Sequence, residues 1–191
     1  FEEAKRNILE DVDLAFEKGG VTVILGASGC GKSTLAALLL SFFGHFTASD
    51  LPLSFRDTAN SITQNAFALK DVLTCIDDFH PSGRQEEARL TATAQSILRA
   101  YGDRTGRGRL RADASQMPTR PPQGNAIITA EFSPDVGESG TARTLSIELH
   151  AGDVNLELLT KYQRLAADGA LQNFMLAYTT WISINFLQDA K

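Results

Sequence analysis

The chain has 191 residues, of which 43% are hydrophobic and 21% are charged, and its formal net charge is −5 at pH 7. This balance is that of a globular protein and excludes disordered and collagen-like chains, and a single domain over residues 1–191 is expected at this length. No run approaches the ~20 apolar residues that cross a bilayer, and no signal peptide opens the chain, so we expect no membrane association.

Apolar runs and helical spacing predict strands that alternate with helices. The predicted strands cover, in chain order, 21–25, 72–76, 125–129 and 144–149. The predicted helices cover about 33–43, 58–69, 84–101, 153–167 and 170–187, with Asp57 or Thr58 capping the second and Asp153 the fourth. Such alternation predicts an α/β fold, in which a mostly parallel sheet lies inside a three-layer sandwich.

The last of these helices carries a regular apolar stripe. Its members recur at helical spacing and are Leu171, Phe174, Met175, Tyr178, Trp181 and Ile182. A stripe of this kind is typical of a helix face that packs in the core. The sequence therefore predicts that the C-terminal helices, residues 153–187, belong to the folded domain.

Residues 102–124 interrupt the alternation with a long loop or hairpin rich in Gly and Pro. Over residues 99–120, six arginines stand against two aspartates, so this stretch has a net charge of +4. The candidate contacts to nucleic-acid phosphates are Arg104, Arg107, Arg109 and Arg111. A solvated surface loop is the alternative interpretation.

The segment GASGCGKS at residues 26–33 matches the P-loop pattern GxxxxGK[ST] at every fixed position. It lies between a predicted strand and a predicted helix, where backbone N–H groups can surround phosphates. Lys32 is predicted to reach the β- and γ-phosphates of ATP, and Ser33 to hold Mg²⁺. The predicted nucleotide-binding residues are Gly26, Ala27, Ser28, Gly29, Cys30, Gly31, Lys32, Ser33 and Thr34. A glycine-rich turn without a ligand is the alternative.

Two acidic residues follow the second predicted strand, and the first of them lies 44 positions after Ser33. Asp77 is the candidate for the Walker B aspartate beside Mg²⁺. Asp78 takes the place where many ATPases carry a catalytic glutamate, and we predict that it positions or deprotonates the attacking water. A strand followed by an ordinary turn is the alternative. The histidines are widely separated, so no metal besides Mg²⁺ is predicted.

The segment from Ile8 to Thr34 resembles the opening of the nucleotide-binding domain of ABC transporters. The run Pro81–Gln85 is similar to the signature motif of that family, which there precedes the Walker B strand, whereas here it follows Asp77 and Asp78. No convincing Q-loop lies between the P-loop and Asp77. The ABC resemblance is therefore expected to be local and to cover about 30 residues.

A second resemblance covers about residues 42–185, and its most specific part is the arginine-rich block Arg99–Asp113. It also includes segments 43–61, 66–71, 77–79 and 120–124. On these segments the chain resembles a domain-of-unknown-function ATPase family in replication proteins of phages, plasmids and integrated elements. That family is similar to AAA+ and superfamily 3 helicase motors. Its members usually carry Thr-Gly-Glu after the third strand, whereas this chain has Thr129-Ala130-Glu131.

The second resemblance implies an AAA+-like P-loop NTPase that hydrolyses ATP to move DNA. It further implies a homo-oligomeric ring, single-stranded DNA as the partner and an accompanying primase module. Thr129 resembles a sensor of the γ-phosphate, with an ordinary strand-ending threonine as the alternative. Arg143 resembles the arginine finger that acts on a neighbouring subunit's nucleotide, with a surface salt bridge as the alternative. An ABC-type transporter ATPase and a regulatory nucleotide-binding module are the competing functions.

Two further sequence features, the cysteine content and the first residue, bear on the compartment of the protein and on the extent of the chain. Two cysteines, Cys30 and Cys75, are too few for a disulfide framework, which favours a reducing, cytoplasmic setting. The chain begins at Phe1 rather than at a methionine, which indicates a fragment of a longer protein.

Overall fold

A computed structural model describes residues 20–106, 108, 113–116 and 118–189. The strands are β1 (Val21–Leu25), β2 (Leu53–Ser54), β3 (Thr74–Phe79), β4 (Ala126–Ala130) and β5 (Thr144–Glu148). The helices are α1 (Lys32–Leu40), α2 (Ala59–Leu69), α3 (Arg84–Gly102), α4 (Gly137–Thr141), α5 (Leu156–Ala167) and α6 (Ala170–Asp189). The strands pair in parallel in the order β2-β3-β4-β1-β5.

Alternate residues of the central strands bury two faces of the sheet. On one face, side chains such as Val23, Ile76 and Ile128 pack against α2 and α3. On the other face, Ile24 and Ile127 pack against α1. Because both faces are covered, β1 and β4 are apolar along nearly their whole length, as parallel strands commonly are. The three-layer α/β sandwich predicted from the sequence is confirmed.

The observed starts of the helices show where capping residues predicted a boundary correctly and where they did not. Helix α2 begins after Thr58, whose hydroxyl accepts a hydrogen bond from the N–H of Ser61 at 3.2 Å, as the capping pattern predicts. Helix α5 begins later than predicted, because Asn155 caps it instead of Asp153. The Asp153 carboxylate accepts the N–H of His150 at 2.7 Å and is used in the preceding turn. The two-residue strand β2 and the short helix α4 escaped prediction.

Helix α6 corrects the prediction that its apolar stripe packs in the core. Phe174, Tyr178 and Trp181 are 62%, 49% and 63% exposed. The helix packs on α5, and its first turns reach the end of α1, where the rings of Phe42 and Phe174 meet edge to face. Because α1 already covers this face of the sheet, α6 lies outside the layers that bury the strands. Among the described residues, no helix combines the length and apolarity needed to cross a bilayer.

Two positions of the segment between α3 and β4, residues 106 and 120, lie close together. A Cβ atom on Gly106 would lie 2.7 Å from the backbone nitrogen of Arg120, so the chain at these two positions is in close contact. The Arg120 guanidinium lies 5.8 Å from the ring centroid of Phe67 in α2. Gly106 and Arg120, the described residues on either side of the basic stretch, thus lie side by side. The predicted contacts Arg107, Arg109 and Arg111 lie outside the described residues.

Candidate active site

The P-loop connects β1 to α1 at the carboxyl edge of the sheet. Gly29 and Gly31 have φ angles of 82° and 99°, in the left-handed region that glycine adopts without steric penalty. The N–H of Gly26 donates to the carbonyl of Ala130 at 3.1 Å, which ties the start of the loop to the end of β4. The loop therefore leads into the N-terminus of α1, whose unpaired N–H groups and dipole attract anions.

Lys32 is the first residue of α1 and lies at the mouth of the loop. Its Nζ atom is 3.4 Å from the carbonyl oxygen of Ala27, which is a weak contact across the loop. A phosphate oxygen would be the stronger partner, because its negative charge attracts the ammonium group more strongly than a carbonyl dipole does. The structure places Lys32 at the start of α1 directly after the P-loop, and its binding of phosphate stays a prediction.

A cavity of about 530 Å³ opens beside the loop. Its lining includes the P-loop residues from Gly26 to Cys30 and the segments that follow β4 and β5, with Glu131, Glu148 and His150 among them. This volume is in the range of small-molecule sites. The cavity therefore lies between the P-loop and the carboxyl ends of β4 and β5, the two strands that pair with β1.

A β-bulge places the two acidic residues that follow the apolar part of β3. The strand register skips one residue between two paired positions, Ile76 with Ile128 and Phe79 with Ala130. Asp77 and Asp78 together oppose Thr129 on β4, and Asp78 has a φ angle of 67°. Such a backbone conformation is uncommon outside glycine and costs about 1–3 kcal/mol. The bulge directs the two carboxylates to different surroundings.

Asp77 is the centre of a small hydroxyl network. Its Oδ1 atom accepts hydrogen bonds from Ser33 Oγ at 3.0 Å and from Thr129 Oγ1. The Thr129 oxygen in turn accepts the N–H of Asp78 at 3.0 Å. Thr129 is fully buried, so its hydroxyl has a fixed orientation. The fold thus brings together three residues that the sequence analysis singled out separately.

The donor atoms of this network fit Mg²⁺. The ion prefers hard oxygen ligands and is commonly bound by one or two carboxylates together with phosphates of the substrate. The Ser33 hydroxyl and the Asp77 carboxylate supply such oxygens at the N-terminus of α1. Bound there, Mg²⁺ would neutralise charge on the terminal phosphates.

Asp77→Asn tests this assignment, because the amide keeps the size of the side chain and removes its charge. We expect the Mg²⁺ concentration for half-maximal ATP turnover to rise by roughly 10–100-fold, the usual loss when a residue that supports a metal is changed. The measurement is an ATPase assay titrated with MgCl₂, with excess EDTA as the blank. An unchanged Mg²⁺ dependence would place the ion elsewhere.

The side chains of two further predicted catalytic residues, Asp78 and Arg143, have partners outside this network. The Asp78 carboxylate faces the guanidinium of Arg56 at 3.9 Å, where both side chains are exposed. Arg143 precedes β5, at the amino edge of the sheet, and its guanidinium lies 2.7 Å from Asp103 Oδ1. A strand of five residues separates the two edges by about 16 Å. A role of Arg143 in hydrolysis therefore requires the P-loop of another subunit.

Sequence reasoning gave no role to a carboxylate and an imidazole that the fold brings together. His80 directly follows β3 and Glu131 directly follows β4, and their Nδ1 and Oε2 atoms are 2.9 Å apart. The position of Glu131 immediately after a predicted strand was visible in the sequence. Its pairing with His80 depends on β3 and β4 being neighbours, which the sequence does not state.

The two cysteines have packing roles near the site. Burial, with the negative charge of Asp77 adding to it, raises the pKa of the Cys75 thiol to about 12. This thiol therefore stays neutral at physiological pH beneath the acidic residues. The Cys30 side chain lies against Gly26, where an added Cβ atom would come within 2.5 Å of its sulfur.

Comparison with known sequences places residues 9–116 in a match to the ABC transporter family. This match is much longer than the 30 or so residues over which the sequence resemblance was expected. A putative HMP/thiamine import ATP-binding protein of Bacillus subtilis is 32% identical over 75 residues, which are 35% of this chain and 14% of that protein. An ATP-dependent lipid A-core flippase of Bordetella avium is 28% identical over 119 residues, covering 56% of this chain and 20% of the flippase.

Comparison with solved structures finds a likeness to the active helicase Cch of SCCmec type IV. The TM-score is 0.52 at 19% identity, and the likeness covers 88% of this chain and 30% of the helicase chain. At this identity the likeness shows the fold alone. The chain spans 14% and 20% of the length of the two curated relatives above.

Proposed function

The chain belongs to the ABC transporter family, and we propose that its P-loop site hydrolyses ATP with Mg²⁺ in order to move single-stranded DNA. The chain is an ATP-binding P-loop ATPase domain, and the family implies hydrolysis. The observation that supports the chemistry is the convergence of Ser33, Asp77 and Thr129 beside the P-loop. The choice of DNA as the partner needs a separate argument.

The order of elements around β3 favours a DNA motor over a transport ATPase. Only β2 and α2 lie between α1 and β3. The run Pro81–Gln85, which is similar to the ABC signature motif, leads into α3 after β3 instead of preceding it. The signature-like run therefore follows β3 along this chain, whereas in ABC domains the signature motif precedes the Walker B strand.

The basic loop between α3 and β4 is the feature that points to nucleic acid. Its net charge of +4 over residues 99–120 contrasts with a chain whose total charge is −5. The contact between Gly106 and Arg120 brings two positions of this stretch together, and Arg107, Arg109 and Arg111 lie between them in the sequence. Arginine side chains so closely spaced along a chain can bind successive phosphates without reading the bases.

Replacing Arg107, Arg109 and Arg111 by alanine should abolish the stimulation of ATP turnover by single-stranded DNA. Each phosphate contact contributes a slope of about −0.7 to log K against log salt on single strands, so three lost contacts flatten the slope by about two. The measurements are anisotropy of a labelled oligonucleotide across a KCl series and ATP turnover with and without DNA.

Lys161→Ala with Arg164→Ala is the matched control, because it removes exposed positive charges from α5. This control should leave the salt slope and the DNA stimulation intact. If turnover without DNA collapses in the triple variant while DNA affinity is unchanged, the arginines belong to the nucleotide site or to a subunit interface.

An ATPase that drives a transporter is the second candidate, and the match over residues 9–116 favours it. Turnover that is stimulated by a membrane permease and indifferent to DNA would support this candidate. Turnover indifferent to both would leave a regulatory nucleotide-binding module. The assay with and without DNA therefore separates the DNA motor from the other two functions, and the assay with a permease separates those two from each other.

Assembly is the remaining part of the proposal. We propose a homo-oligomeric ring in which Thr129 senses the γ-phosphate and Arg143 acts on the neighbouring subunit's ATP. A primase module is the proposed companion, on the strength of the resemblance to replication proteins of mobile elements. Oligomeric mass measured with and without ATP tests the ring.

A further inference from the structure

A second carboxylate lies beside the P-loop. Glu131 directly follows Ala130, whose carbonyl accepts the N–H of Gly26, the first residue of the loop, at 3.1 Å. Glu131 also lines the 530 Å³ cavity together with Ala27 and Ser28. Its side chain is 29% exposed, which is less than that of Asp78 at 49%. Glu131 therefore presents an acidic group to the cavity beside the P-loop.

His80 holds this carboxylate from the neighbouring strand. Its Nδ1 atom lies 2.9 Å from Glu131 Oε2. The backbones beneath are joined as well, because the N–H of Glu131 donates to the carbonyl of Phe79 at 3.4 Å and that of His80 to the carbonyl of Asp78 at 2.9 Å. The bulge in β3 thus sets the position of the imidazole. The contact engages one carboxylate oxygen of Glu131 and leaves the second for another partner.

The two candidate carboxylates have different surroundings. The Asp78 carboxylate faces Arg56 at 3.9 Å, and Asp78 is not among the described residues that line the cavity. Its backbone N–H already serves the structure by donating to Thr129. Of these two candidates, Glu131 is the one that lines the cavity beside the P-loop.

We propose that Glu131 is the general base of ATP hydrolysis and that His80 is the residue that positions it. The Glu131 carboxylate takes a proton from a water molecule while the water oxygen forms a bond to the γ-phosphorus. The bond from that phosphorus to the β–γ bridging oxygen breaks, and its electron pair leaves with ADP. Glu131 then releases the proton to solvent. The proposal rests on ATP hydrolysis at the P-loop and is independent of whether DNA or a transported solute is moved.

Glu131→Gln is the direct test, because the amide keeps an oxygen for the contact with His80 and loses the basic carboxylate. General-base catalysis contributes about 10²–10⁴-fold, so kcat should fall in that range. The affinity for a fluorescent ATP analogue and the thermal unfolding midpoint should stay within error of the wild-type values. Asp78→Asn is the matched carboxylate variant and should lower kcat by a smaller factor.

Variants of His80 separate positioning from mere structural support. His80→Ala should lower kcat with little change in the affinity for the ATP analogue. His80→Asn should restore most of the loss, because the Asn amide nitrogen takes the place of Nδ1. If His80 only stabilised the fold, its variants would lower the thermal unfolding midpoint together with kcat. A positioning role instead changes kcat while the unfolding midpoint stays constant.

Three results overturn the proposal. They are a Glu131→Gln kcat within threefold of wild type, a parallel loss of nucleotide affinity and kcat, and an Asp78→Asn effect larger than that of Glu131→Gln. Lys32→Ala is assayed alongside as a control. It distinguishes failure of the Glu131 assignment from failure of the proposal that the P-loop hydrolyses ATP. Wild-type turnover no faster than that of Lys32→Ala would refute hydrolysis at the P-loop itself, and with it the base.

Discussion

Lys32→Ala should lower ATP turnover by about 10²–10³-fold or more, the loss typical of removing one preorganised donor from developing charge. The lysine Nζ makes only a 3.4 Å contact with the Ala27 carbonyl, so the folded domain depends little on it. We therefore expect a thermal unfolding midpoint close to that of the wild-type protein. Steady-state ATPase assays, binding of a fluorescent ATP analogue and thermal unfolding together measure the effect.

The control for this variant is Lys161→Ala, which removes an exposed lysine from α5 and leaves the P-loop untouched. It should retain full nucleotide affinity and turnover. Unchanged turnover in Lys32→Ala would remove the assignment of the P-loop as the catalytic site. A large drop in its unfolding midpoint would show that the side chain supports the fold instead of the phosphates.

The parts of the site that the sequence predicted are those that depend on neighbouring residues. The P-loop pattern fixes its glycines and Lys32 within eight positions, and β1 and α1 on either side follow from local apolar spacing. Asp77 was predictable because an acidic residue at the end of a buried strand is itself a local signal. Its contact with Ser33 at 3.0 Å confirms that the two residues meet.

The features that escaped prediction depend on contacts between distant parts of the chain. The bulge at Asp77 and Asp78 exists only in the register between β3 and β4, where both residues oppose Thr129. The pair of His80 and Glu131 likewise requires the two strands to be adjacent. No pattern within one strand encodes such a register.

Helix α6 fails as a prediction for a related reason. An apolar stripe predicts that a helix face is buried, but it does not indicate which surface packs against that face. In this fold α1 and α5 come between α6 and the sheet, and Trp181 is left 63% exposed. The same stripe on a helix in contact with β5 would have been buried.

The amino edge of the sheet brings Arg143 next to the basic loop. Asp103, which follows the last residue of α3 and opens the loop, binds the Arg143 guanidinium at 2.7 Å. A Cβ atom on Gly102 would collide with the Arg143 side chain, so the arginine lies directly over the end of α3. In the proposed ring, Arg143 would therefore lie beside the first residues of the basic stretch.

Arg143→Ala should lower ATP turnover of the assembled ring by about 10³–10⁵-fold, the contribution of an arginine finger to phosphoryl transfer. Its exposed ion pair with Asp103 contributes only about 0–1 kcal/mol to folding, so the unfolding midpoint should change little. Asp103→Asn breaks the same pair and leaves the guanidinium in place, and turnover should then persist. Mixing Arg143→Ala with Lys32→Ala subunits should restore activity above the sum of the two, because some interfaces pair an intact arginine with an intact P-loop. A monomer with full ATPase activity, or equal losses in Arg143→Ala and Asp103→Asn, would contradict a finger acting between subunits.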